Sequence, residues 1–237
     1  MNILRRRSLQ LSAFAIIATS LAGGFSLAAQ ATTTPTVTSI ITAAKASLAK
    51  QVGVHISVST TDDKVVSTVV ADIGPTSGFE TYKKGKETFT ISVTPKYAFL
   101  SGSPSGLTTL MGLTSAEAKK VGKKSIEMKK GSDQYSTFKT NLTSAAFSQL
   151  LPAVKGTTLL TARDKTTNGY QLTWVTAATS TSPKETSVLV ISSGSSTVPL
   201  KETVTTSSGN SHTTFTDWNQ PFTVKVPTST IAYAKVF

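Results

Sequence analysis

Two tetrads, Ser47-Leu48-Ala49-Lys50 and Ser136-Thr137-Phe138-Lys139, have the spacing in which a lysine activates a serine nucleophile in penicillin-recognising enzymes. Neither an S-D-N nor a K-T-G partner follows them, and a chain this rich in serine and lysine holds about two or three such pairs by chance. His55 and His212 are the only histidines. A metal centre without cysteine needs two or three imidazoles with carboxylates at suitable spacing, and both histidines fall on expected strands, exposed or hydrogen-bonded. Asp62-Asp63 reads as a hairpin turn, Asp164 and Asp217 fall at strand ends, and no two carboxylates are spaced for general acid and base work. Asn141-Leu142-Thr143 matches a glycosylation sequon, but Thr143 is explained as a helix cap. The expectation is therefore a non-enzymatic protein with no catalytic residue, no metal site and no cofactor.

The chemistry that remains is recognition. Lys119, Lys120, Lys123, Lys124, Lys129 and Lys130 crowd around Val121 and Ile126. They read either as a solvated face or as a docking patch for anionic headgroups, where each lysine contributes on the order of 1 kcal/mol. Phe89, Ile91, Tyr97, Phe99, Tyr170, Leu172 and Trp174 stand at alternate strand positions and are expected to line one face of a sheet, as plain core or as the wall of an apolar cavity. Leu107, Leu110 and Met111 would cover that face. Three short helices for about ten strands leave more apolar lining than the helices can fill, which favours a hollow.

The elements that position these residues follow from periodicity. Val37, Ile40, Ile41, Ala44 and Leu48 are spaced as the apolar stripe of a helix that ends before Gly53. Alternation through Ile56 and Val58, then Lys64 to Ile73, predicts a hairpin about Asp62-Asp63. Glu87 to Val93 and Tyr97 to Leu100 predict a second hairpin across Thr94-Pro95. Leu107 to Leu113 is helical in spacing, Thr114-Ser115-Ala116-Glu117 is a capping box, and Thr143 to Leu151 is a third helical piece stopped by Pro152. Strand signals return at Thr157 to Ala162, Tyr170 to Ala177, Thr186 to Ser192, Val198 to Thr205, Ser211 to Thr216 and Phe222 to Val226. The fold class is α+β: one domain over 32–237 with a large antiparallel sheet.

Arg5-Arg6-Arg7, the apolar stretch from Leu9 to Leu21 and Ala29-Gln30-Ala31 have the three parts of a secretory signal, so residues 1–31 are expected to be removed and the remainder exported. The apolar run is short for a membrane span, which needs about 20 residues; an uncleaved anchor is the lesser alternative. The pair Arg6-Arg7 lacks the flanking residues of a twin-arginine signal. The chain has no cysteine, hence neither disulfides nor a lipobox for an acyl anchor. Three of the 24 basic residues lie in the signal and all 12 acidic ones beyond it, so the charge falls from +12 to about +9 on cleavage. That favours anionic partners. Nucleic acid is set aside, because Arg163 is the one arginine outside the signal.

Five segments stand out in order along the chain: Tyr97-Ala98-Phe99-Leu100-Ser101-Gly102, Leu107 to Gly112, Gly122-Lys123-Lys124-Ser125-Ile126-Glu127-Met128, Val198-Pro199-Leu200, and the ending Asp217-Trp218-Asn219-Gln220-Pro221-Phe222-Thr223-Val224-Lys225-Val226-Pro227. Together they resemble the LolA-like lipoprotein-carrier superfamily, in particular its actinobacterial LppX/LprG-type lipid-binding group. Ser125 stands where that group commonly has tryptophan. The resemblance implies a half-open β-barrel whose concave face, partly lidded by helices, holds acyl chains. It leads to an expected monomer in the cell envelope that binds or carries an acylated lipid, glycolipid or lipoprotein, with Leu107 to Met128 as a mobile lid. The alternative is an envelope-associated cationic protein that holds anionic wall polymers with no lipid cavity.

Overall fold

The computed structural model describes residues 35–151, 159–177 and 184–237; the expected signal at 1–31 and the start of the expected strand at Thr157 lie outside them. Helix α1 (Val37–Leu48) is opened by Thr36, whose side chain accepts the amide of Ser39 at 3.2 Å, and it buries Ile40, Ile41, Ala44 and Leu48. Burial of each large aliphatic side chain contributes about 1.5–3 kcal/mol, which holds the helix to the sheet. Strands β1 (Val54–Asp62) and β2 (Val65–Ile73) form the expected hairpin, with Asp63 and Lys64 both at positive φ.

Strand β3 (Gly78–Lys84) was not expected. It is followed by β4 (Glu87–Val93), β5 (Tyr97–Gly102), α2 (Pro104–Thr109), α3 (Ser115–Val121) and β6 (Ser125–Lys129). The capping box is present: Glu117 accepts from the Thr114 amide at 2.6 Å while the Thr114 hydroxyl accepts from the Glu117 amide at 3.2 Å. Helix α4 (Asp133–Asn141) is a second element absent from the sequence reading, and the expected helix at Thr143 is a 3-10 segment, Ser144–Leu150. Thr143 makes no side-chain cap there; its hydroxyl donates to the Lys139 carbonyl at 2.8 Å.

Strands β7 (Leu159–Arg163), β8 (Tyr170–Thr176), β9 (Glu185–Ile191), β10 (Pro199–Thr205) and β11 (Gly209–Thr216) form a second meander. Phe222–Val226 is not a strand. The chain turns at Trp218–Asn219, with Asp217 and Asn219 at positive φ, and then has no ladder partner until β12 (Thr230–Ala232) pairs parallel to β6. The result is one open sheet of twelve strands among the described residues, ordered β12-β6-β5-β4-β3-β2-β1-β11-β10-β9-β8-β7 and antiparallel except at β12. It is the half-open α+β architecture.

The described helices pack on one face of this sheet, here the inner face. Registers align its residues in rows: Met128, Ala98, Val93, Gly78, Ile73 and Val54; then Ile126, Leu100, Ile91, Glu80, Ala71, Ile56 and Phe215; then Gly102, Phe89, Tyr82, Val69, Val58, Thr213, Glu202, Leu189 and Leu172. Two separate cores sit on it. One joins α1 and the 3-10 segment to Val54, Ile56, Ala71, Ile73, Leu172, Leu189 and Phe215; the other joins α2, α3 and α4 to Phe89, Ile91, Val93, Leu100, Ile126 and Met128. The division falls at β3, whose inward residues Gly78, Glu80 and Tyr82 include no aliphatic side chain.

Candidate functional site

The seam along β3 grades from closed to open. At its inner end a Cβ on Gly78 would lie 2.0 Å from the Leu142 carbonyl oxygen, so the end of α4 rests directly on the strand backbone. The 3-10 segment is stitched to the same end: Ser144 N donates to Gly74 O at 2.8 Å. One inward position along lies Glu80, only 6% exposed, with Oε1 lacking any hydrogen-bond partner. Burial raises its carboxyl from 4.5 to about 7. Next comes Tyr82, half-buried and stacked on Phe89 at 5.3 Å, followed by exposed Lys84 at the mouth. Beside Tyr82 in the same row, Val69 and Val58 are half-buried, and Leu110 and Met111 border the strip from the second core. The arrangement is an apolar strip across β1, β2 and β3 that leads to a buried carboxyl.

A second carboxyl, Glu202, lies on the same face between Thr213 and Leu189; burial, and then the charge of Glu185, raise it to about 7. The remaining shifted acids are external. Asp164 is held well below the usual carboxylate range by the Lys201 ammonium at 2.8 Å and by Thr167, and Glu117 is lowered by the Thr114 amide and hydroxyl.

The apolar residues singled out in the sequence divide among three settings. Phe89, Ile91 and Leu107 are buried in the second core and Leu172 in the first; Tyr170 and Trp174 are half-buried against the first, Leu110 and Met111 against the second. Tyr97 and Phe99 do not share a face with Phe89 and Ile91. The turn at Thr94–Lys96 pairs Val93 with Ala98 and Ile91 with Leu100, a register that turns Tyr97 and Phe99 to the outer face. The segment Leu107 to Met128 is not a lid as a whole: Leu107 is fully buried, and the segment ends in sheet strand β6.

All six lysines of the basic cluster are exposed. Lys119 and Lys120 occupy the last turn of α3, where they complement the helix dipole, and the Lys120 ammonium donates to the Val236 carbonyl at 3.3 Å. Lys123 and Lys124 precede β6 while Lys129 and Lys130 lie at its far end, about 16 Å away for the five strand steps from Lys124 to Lys129. The cluster is therefore two patches in space.

The outer face carries one further feature. His55 and Asp72 face each other across β1 and β2, Nδ1 to Oδ1 at 2.6 Å, in a cleft of about 230 Å³ lined also by Val54, Asp217, Gln220, Pro221 and Phe222. A histidine oriented by a carboxylate is the arrangement of a general base. The hydroxyl opposite it in register, on Thr216, donates to Asp217 Oδ2 at 3.3 Å. His212 is bonded to Thr203 at 3.2 Å. Among the described residues no group of three or more His, Cys, Asp or Glu side chains could hold a metal ion, and no helix is long and apolar enough to cross a membrane.

Sequence reasoning missed Glu80 and Tyr82 because it missed β3. The signal available was spacing: turn residues at Gly74-Pro75-Thr76-Ser77 and at Gly85 bracket a length suited to one strand.

No protein-family profile and no curated protein matches this chain. Solved structures with a similar fold include LprF from Mycobacterium bovis, at 12% identity and a TM-score of 0.46, covering 79% of this chain and 95% of that one. The lipoprotein LppX of Mycobacterium tuberculosis is similar at 12% identity and a TM-score of 0.47, covering 80% of this chain and 100% of that one. An uncharacterized conserved protein from Thermus thermophilus follows at 9% identity and a TM-score of 0.42, covering 81% of this chain and 96% of that one. At these values the likeness is one of coarse chain path.

Proposed function

We propose that the protein is an exported, non-enzymatic binder or carrier of an acylated lipid in the cell envelope, with the acyl chain laid on the inner face of the sheet. The observation that carries this reading is the incomplete cover of that face. Two helical cores stop at β3, and Val58, Val69, Tyr82, Leu110 and Met111 remain half-buried along one strip. Apolar surface left open between packed cores is stabilised by an apolar occupant, at roughly 25 cal/mol for each Å² removed from water. Lys84 at the mouth, and the patches at Lys119–Lys124 and Lys129–Lys130, suit an acidic headgroup or membrane surface. Native mass spectrometry of protein purified from its own host tests the reading. A bound lipid of defined mass is expected, and repeated recovery of empty protein overturns it.

The exposure of all six clustered lysines favours a second reading, adhesion to anionic wall polymers. Adhesion through exposed charge weakens steeply from low to high salt, whereas retention by buried apolar contacts does not. Pull-down on wall material across a salt series separates the two.

A further inference from the structure

Glu80 is the one inward residue of β3 that is both buried and polar, and its placement is costly. A buried carboxyl oxygen without a hydrogen bond forfeits the free energy of that bond, and an aliphatic residue, as at Ile91 and Ala71 on either side, would join the two cores without that penalty. None of its inner-face neighbours Ala71, Ile91, Gly78 and Tyr82 carries a positive charge, so its role is not that of an ion-pair partner within the row. The carboxyl, raised to about 7 by burial, holds its proton through mildly acidic pH, where an exposed glutamate is ionised. Tyr82 lies two residues further along the strand, about 6–7 Å toward the mouth, so the Val58–Val69–Tyr82 strip ends one inward position from this buried oxygen.

We infer that Glu80 is the polar anchor of the ligand site: its free Oε1, at the closed end of the seam between the two cores, accepts a hydrogen bond from a hydroxyl group on the bound lipid. This rests on the lipid-binding reading above and narrows it to lipids that carry a hydroxyl at the end reaching the seam. An apolar site with a single unpaired acceptor discriminates by that group, because a ligand without a donor leaves the oxygen unpaired.

Two probes of equal chain differ in the donor alone: 1-hexadecanol and its methyl ether, each measured by displacement of a fluorescent acyl probe. Wild-type protein is expected to bind the alcohol about tenfold more tightly, the effect of one hydrogen bond at a buried site. Glu80→Gln, whose amide oxygen accepts the same bond, keeps the preference. Glu80→Leu binds both probes with equal affinity. Equal affinities in wild-type protein overturn the inference, since they mean that a trapped water satisfies Oε1; so does a preference that persists in Glu80→Leu. The wild-type comparison decides even if the leucine variant does not fold. Binding of both probes without preference sinks the anchor alone, whereas binding of neither sinks the lipid-binding reading and the anchor with it.

Discussion

Replacing Glu80 by glutamine should remove a definite part of the pH dependence of stability. In the unfolded chain this carboxyl titrates near 4.5, and in the folded protein burial holds it to about 7. Between those values the folded state keeps a proton that the unfolded state has released, so raising the pH favours unfolding. Stability is full below pH 4.5 and is lost as pH rises through about 7. Each pH unit in that window costs about 1.4 kcal/mol, or about 3 kcal/mol in all. Glu80→Gln should therefore match the parent at pH 4.5 and exceed it by about 3 kcal/mol at pH 8, equivalent to roughly 6–12 °C in Tm for a domain of this size. Urea denaturation followed by circular dichroism from pH 4.5 to 8.5 measures it. Glu202 titrates in the same direction, but it stands four strands from Glu80, about 19 Å along the sheet, too far to couple, and it cancels in the difference. A difference between parent and variant that stays constant across the range refutes the reasoning.

Gly106 lies inside α2, where alanine would favour the helix by about 1 kcal/mol, yet its Cβ would meet the Thr88 carbonyl oxygen at 2.1 Å. The clash is with strand backbone and should win, so Gly106→Ala should lower stability by at least about 2 kcal/mol in thermal melts. Trp218→Phe keeps the ring contacts with Phe147 and Phe215 at 6.0 and 6.4 Å but loses the indole bond to the Pro199 carbonyl at 3.0 Å. It should lower the urea midpoint by about 1–2 kcal/mol in stability with an unchanged slope. Replacing Leu110 and Met111 together by aspartate places charge beside the strip and should abolish co-purification of lipid while the circular dichroism stays like the parent's. Unchanged occupancy in that variant would show that these two side chains do not border the ligand.

What the sequence made legible is where apolar period and local chemistry agree. Ile40, Ile41, Ala44 and Leu48 are the buried stripe of α1, and Thr114 with Glu117 forms the cap of α3. Strand β3 escaped because its inward positions are glycine, glutamate and tyrosine, so the face that normally reveals a strand is the face the seam interrupts. The helical signal of α4 rests on Tyr135, Phe138 and Leu142 amid polar residues. The sides of Tyr97 and Phe99 depend on pairing register, which periodicity within one strand does not encode. Phe222, Val224 and Val226 alternate as a strand does, but they join no ladder; the Phe222 ring instead packs over Gly74, where a side chain's Cβ would come within 3.0 Å of it.

The pairing of β1 with β11 has a consequence for the order of assembly. Both meanders are built from neighbours in sequence, but the join between them is not: the Thr60–Ser211 hydrogen bond spans 151 positions. At a synthesis rate of about 5–20 residues per second, the β1 edge waits on the order of 10–30 s before its partner exists. During that time a nine-residue strand with its hydrogen-bonding groups open is a template for any other extended chain. The charged tip at Asp62, Asp63 and Lys64 guards one end of that edge, and the rest depends on a chaperone or on keeping the whole chain unfolded until β11 is available.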